Sequence, residues 1–167
     1  MARRIVSITT ITPTATADAT NLVDATYPFL LQGGSSTQRC KIHEIYMGGQ
    51  ANSSSPTYMI LGRDSTVAAT NSNGTGQTDA AMDAATAALA APALTGNTNT
   101  TKPQRSATLH LLNMSFNAFG GVVLWAPAPG GEITTIGNTA SLGEVSLSAF
   151  TGGTPGAMGA HMIYEPL

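Results

Sequence analysis

Charge is the scarcest property of this 167-residue chain: Asp, Glu, Lys and Arg together make up 10% of it, against roughly a quarter in ordinary soluble domains. Seven basic and nine acidic residues leave a formal net charge of −2. The basic residues are scattered, so the electrostatic footprint that binds nucleic acid is missing. A single cysteine, Cys40, excludes an intrachain disulfide and a thiolate metal cluster. Its neighbours Arg39 and Lys41 could in principle activate it, but its place beside Ile42 reads as a small core residue. Aromatics total 5%, and Trp125 lies in the densest apolar run, where a core role is expected rather than a sugar platform. No run approaches the ~20 apolar residues of a membrane span. The stretch Ile5 to Ile11 is interrupted by threonines and too short for the apolar part of a signal peptide. Cytoplasmic synthesis is expected, with no membrane and no nucleic-acid partner.

Paired catalytic chemistry is equally scarce. His43, His110 and His161 each fall on a predicted strand, and none has a second histidine at metal-ligand spacing. Glu44 follows His43 directly, so the two side chains of an extended chain point to opposite faces. Asp79 and Asp83 read as the solvated side of an Ala-rich turn of helix rather than as general acid and base. Ser141, Ser146 and Ser148 lack a nucleophile elbow, and the Gly-rich turn 151–156 opens no helix with a lysine. The expectation is a non-enzyme with no catalytic, cofactor or metal site.

What the chain does have is short apolar, β-prone runs cut by Gly, Pro and Asn. The densest, residues 107–125, reads as two strands and their turn at Gly120-Gly121. Leu109 and Leu111 lie on one face, with His110, Leu112, Met114 and Phe116 on the other, so the run is expected in the middle of the fold. Residues 3–12 read as an N-terminal strand or arm closed by Pro13. Tyr27 to Leu31 is a short apolar insertion, a plug for one end of the core or an anchor on a partner, and Pro28 argues against a central strand. In residues 39–47 the alternation changes phase, with Cys40 and Ile42 on one face and Ile45 and Met47 on the other. That predicts either cover on both faces or a bulge at His43-Glu44. Residues 57–61 return as a strand that ends at Gly62 to Asp64.

Residues 64–106 form a loop-rich insertion with a short helix expected from Thr78 or Asp79 to Ala91, its stripe made by Met82, Ala85 and Leu89. Strands follow at 132–136, at 143–150 and at 157–164. In the second of these Val145, Leu147 and Ala149 face a core and the serines face solvent. In the third, Met158, Ala160, Met162 and Tyr164 share a side.

About eight short strands predict an all-β fold, a single-domain antiparallel β-sandwich over residues 1–167, best matched by a jelly roll. Residues 39–50, 115–132 and 141–156 resemble small jelly-roll head-decoration, or cement, proteins of tailed bacteriophages. That resemblance implies a homo-oligomer, a trimer or similar, bound to the major capsid protein on the outside of the virion and reinforcing the shell. The expected contact residues lie in the N-terminal stretch and the apolar insertions: Arg3, Arg4, Ile5, Tyr27, Phe29, Leu30, Met82 and Leu89. A carbohydrate- or receptor-binding jelly roll and a self-assembling coat subunit are the alternatives.

Overall fold

In the computed structural model, residues 6–15, 29–66, 71–72, 80–85, 94–96, 98–99, 103–137, 142–149 and 156–167 are described. They form β1 (Val6–Ala15), β2 (Phe29–Gln32), β3 (Arg39–Gly49), β4 (Pro56–Thr66), β5 (Asn71–Ser72), β6 (Ala80–Ala81) and β7 (Leu94–Gly96). There follow β8 (Thr98–Asn99), β9 (Gln104–Asn117), β10 (Val123–Trp125), β11 (Ile133–Ile136), β12 (Val145–Ala149) and β13 (Gly156–Pro166). No helix occurs among the described residues. Ala80–Ala81 is a strand followed by a bend and a turn, not the start of a helix. Pairing with β1 at Val6 and Ser7 outweighs the alanine propensity. Leu89 and the rest of the expected helix lie outside the described residues.

The first sheet runs β10-β3-β13-β1-β6, with β11 also on β3, and the second runs β7-β2-β12-β4-β9. All the pairings are antiparallel. The principal strands are matched β1 with β13, β2 with β12, β3 with β10 and β4 with β9, so the chain is a long hairpin wound across two packed sheets. That winding is a jelly roll. The region from residue 6 is therefore a sheet strand, held between β13 and β6, rather than a free arm, and it continues past Pro13 to Ala15 with a register shift after Thr12.

The core lies between the sheets and is built from alternate residues of each strand. Ile42, Ile45, Met47, Met158, Met162 and Tyr164 come from the first sheet. Met59, Leu61, Phe116, Val145 and Leu147 come from the second. The phase change in β3 is a bulge at His43: Glu44 pairs with Ile163 and Ile42 with Tyr164. The extra residue returns Cys40, Ile42, Ile45 and Met47 to one buried face. Cys40 is fully buried, and loss of solvation pushes its thiol up to about 12, only partly offset by its contact with Thr135. At pH 8 the thiolate is then roughly one part in ten thousand. We expect no reaction with a disulfide reagent in the native state and one thiol per chain after denaturation.

Residues 107–125 do not make a hairpin. β9 pairs with β4 at the edge of the second sheet, and β10 pairs with β3 in the first. Between them Asn117 to Gly120 turn the corner. Ala118 is buried there, with its carbonyl accepting from the Ala51 amide at 3.0 Å. β3 and β4 likewise belong to different sheets, so they meet at a corner. β4 runs on through Gly62 to Thr66.

The strand expected to be half-buried is the most enclosed. Every residue of β12 is buried, Ser146 and Ser148 included. β12 lies between β2 and β4, and the outward side of this part of the sheet carries a polar cluster shut off from solvent. Glu144, Asp64 and Arg105 are each at most 1% exposed. Ser146 Oγ donates to Asp64 Oδ1 at 2.6 Å, and Arg105 donates to Ser148 from the far side of β4. The alternation predicts solvent-facing serines, but their hydroxyls satisfy buried partners in a way an apolar side chain could not.

Candidate interaction surface

Among the described residues β10 pairs on one edge only, with β3, and the side chains around it split cleanly. Val123 and Trp125 pack inward against the core, whereas Val122 and Leu124 point out, 78% and 54% exposed. Phe119, on the preceding corner, is 56% exposed. Three large apolar side chains within six positions therefore stand in water at a sheet edge. Such an edge is the part of a β protein most ready to meet another chain.

Next to it the outer face of the first sheet is hollowed. Val123 pairs with Met47, and Gly159 pairs with Gly48, so Val122 borders a floor made of two facing glycines. The groove encloses about 500 Å³ and is also walled by Tyr46, His161 and Gln50. A Cβ on Gly48 would meet nothing within 4 Å, so nothing inside the chain forbids a side chain there. Gly49 is the contrast: its Cβ would lie 2.4 to 2.8 Å from Ala118, so that glycine is needed for the corner. Tyr46 donates to Glu44 at 2.5 Å, and that acceptor holds its phenol above the usual range. His161 meets the Tyr46 ring edge-on, with centroids 5.8 Å apart.

A second groove, about 620 Å³, opens between β9 and β11, farther along the β3 edge that β10 also pairs with, with Leu109 and Ile136 on its walls. There Arg63 ties the sheets together, donating to the carbonyls of Leu142 at 3.2 Å and Thr134 at 3.1 Å.

Of the expected contact residues, Phe29, Leu30 and Met82 fall among the described residues. Arg3, Arg4, Ile5, Tyr27 and Leu89 lie outside the described residues. Phe29 opens β2, and Leu30 is fully buried in that strand, which does form despite Pro28. Met82 is 61% exposed beside β6, at the edge of the first sheet away from β10. Sequence reading missed Phe119, Val122 and Leu124 because it took a dense apolar run as core throughout. The available signal was the length of the run: four residues between Gly121 and Ala126 can bury only alternate side chains when the strand is at an edge.

Of the histidines, His43 contacts Glu165 at 3.2 Å and His161 sits at the groove. Among the described residues no three His, Cys, Asp or Glu side chains converge as metal ligands. No protein family, curated protein or solved structure matches this chain.

Proposed function

We propose that this chain is a structural virion protein of the decoration or cement class, one that associates with copies of itself as a trimer and with the major capsid protein on the outer surface of a shell. The observation that carries this reading is the apolar edge of Phe119, Val122 and Leu124 beside a glycine-floored groove, in a chain with little charge to keep it solitary. Few lysines and glutamates must be desolvated when such a surface is covered. Symmetric copies on a lattice then add many modest contacts. Because residues 6–12 belong to the first sheet, deleting them removes a structural strand. The informative variant is instead Val122→Asp combined with Leu124→Asp.

The test is solution mass by size-exclusion chromatography with light scattering at two concentrations, followed by sedimentation with bare capsids. The native chain is expected as a discrete, dilution-resistant oligomer that binds capsids. The double variant, with an unchanged far-UV spectrum, should dissociate and bind at least about tenfold more weakly, since each buried charge opposes the contact. A native monomer at both concentrations, or full capsid occupancy by the variant, would refute the reading. Very large closed particles would make it a coat subunit. The groove also favours one second reading, a carbohydrate-binding module with Tyr46 and His161 at its site, which a glycan array with no hits on the native protein would remove.

A further inference from the structure

The groove between β9 and β11 has the make-up of a small-molecule site. Its volume of about 620 Å³ lies within the roughly 300–1,000 Å³ of such sites. Leu111 and Ile133, which also pack on the core, form its base, and Leu109, Ile136 and Leu142 stand around it. Leu109 and Ile136 are both exposed, so covering them removes apolar surface from water. The charged groups on its walls are mostly of one sign. Arg39 and Arg63, two of the seven basic residues of the chain, are joined there by a single acid, Glu132. Glu132 is engaged elsewhere. It accepts from the Gly130 amide at 2.9 Å, and its own amide, with Lys41 and His43, holds its carboxyl below the usual range. Arg63 donates to two backbone carbonyls, which leave its positive charge without an anion, and neither guanidinium is in an ion pair among the described residues. A guanidinium carries five N–H donors in a fork that fits a carboxylate.

Leu142 adds an independent observation. Its φ is 65°, and among the described residues no other non-glycine has a positive φ. L side chains rarely adopt that left-handed conformation. The backbone is clamped in it, because the Leu142 amide donates to the Asp64 carbonyl at 2.8 Å and its own carbonyl accepts from Arg63. Glycine or asparagine would hold the same turn with less strain. What leucine adds is an apolar side chain, and that side chain lines the groove. Strain kept at a groove wall is the kind that marks a ligand site.

We propose that this groove binds an aliphatic carboxylate, its chain laid over Leu111 and Ile133 between Leu109, Ile136 and Leu142, and its head group held by Arg39 and Arg63. The apolar lining takes the chain, and the two guanidiniums select a carboxylate over an alcohol of the same length. Other ligand classes fit less well. A cation would meet two positive charges, and a sugar would find no aromatic face among the lining residues. A polyanion would gain only two cationic contacts. The site is separate from the apolar edge at β10 and does not depend on how copies of the chain assemble.

Titration calorimetry of the intact chain with octanoate at neutral pH tests this site, with octanol and octyltrimethylammonium as probes of matched length, all below the concentrations at which they aggregate. Octanoate is expected to bind saturably at one site per chain with a Kd below about 1 mM. Octanol should bind about fivefold more weakly, the usual worth of a charge contact at an exposed site, and the cation not at all. Arg39→Gln should weaken octanoate about fivefold and leave octanol unchanged. Leu142→Asn should weaken both, with a thermal midpoint no lower than that of the native chain, a result that a packing role for Leu142 would not give. Val122→Asp combined with Leu124→Asp alters the other groove and should leave octanoate binding intact. The proposal is overturned by the absence of saturable binding, by octanol binding as tightly as octanoate, or by full affinity in Arg39→Gln or Leu142→Asn. Loss of binding in the β10 double variant also overturns it, since that places the ligand in the other groove.

Discussion

Replacing Arg105 by alanine is expected to destabilise the fold by about 3–5 kcal/mol, the usual effect of removing one member of a buried charged set. The side chain is 1% exposed, donates to Ser148, and lowers the proton affinity of Asp64. Without it, Asp64 stays buried without the guanidinium that faces it across β4 and β9, and the space over Gly62 is left empty. Chemical denaturation at pH 7 measures the loss as a lower midpoint at an unchanged slope. Charge and packing can be separated. Arg105→Met keeps a stem over Gly62, and adding Asp64→Asn and Glu144→Gln removes the carboxylates it leaves behind. If uncompensated charge is the larger part, that triple variant recovers at least half of the lost stability. If it recovers nothing, the loss is one of packing.

Gly49→Ala is expected to cost about 3 kcal/mol or more, although it adds one methyl group to a residue that is not fully buried. The new Cβ would sit 2.4 Å from Ala118 Cβ, 2.5 Å from its Cα and 2.8 Å from its carbonyl oxygen. Two of these three atoms are backbone, so the corner between β9 and β10 would have to move as a unit, well beyond the strain of ordinary overpacking. That movement would break the bond from the Ala51 amide to Ala118 and displace β10 from β3. Gly48→Ala, one position earlier, meets open space and should change thermal stability by less than about 0.5 kcal/mol, the usual range for a surface site. Thermal unfolding of the two variants is therefore a sharp contrast. Equal effects would mean that the corner is soft and that the apolar edge it carries is not rigidly presented.

Much of the architecture was legible because side-chain alternation reports which face of a strand is buried. The last strand showed it directly, with Met158, Ala160, Met162 and Tyr164 all buried as spaced. The phase break in residues 39–47 left two readings, cover on both faces or a bulge at His43-Glu44, and the pairing with β13 decides for the bulge, whose extra residue returns Ile45 and Met47 to the face of Cys40 and Ile42. Alternation, however, says nothing about what lies over the second face. Ser146 and Ser148 carry the pattern of a solvated face, yet they are enclosed, because Arg105 and Asp64 arrive from strands about 40 and 80 residues away.

The candidate surface was illegible for the related reason that hydrophobicity does not distinguish a central strand from an edge. Val122 and Leu124 are as apolar as Val145 and Leu147. Among the described strands β10 ends its sheet and leaves them exposed, while β12 lies between β2 and β4. The sequence by itself determined the class of fold, the strand spacing, the core face of most strands, and the scarcity of charge that favours association. Only the tertiary structure decided which apolar residues are left in water, which polar ones are sealed from it, and which glycine is obligatory. Those depend on the order of strands across a sheet, a property of long-range pairing that local periodicity does not carry.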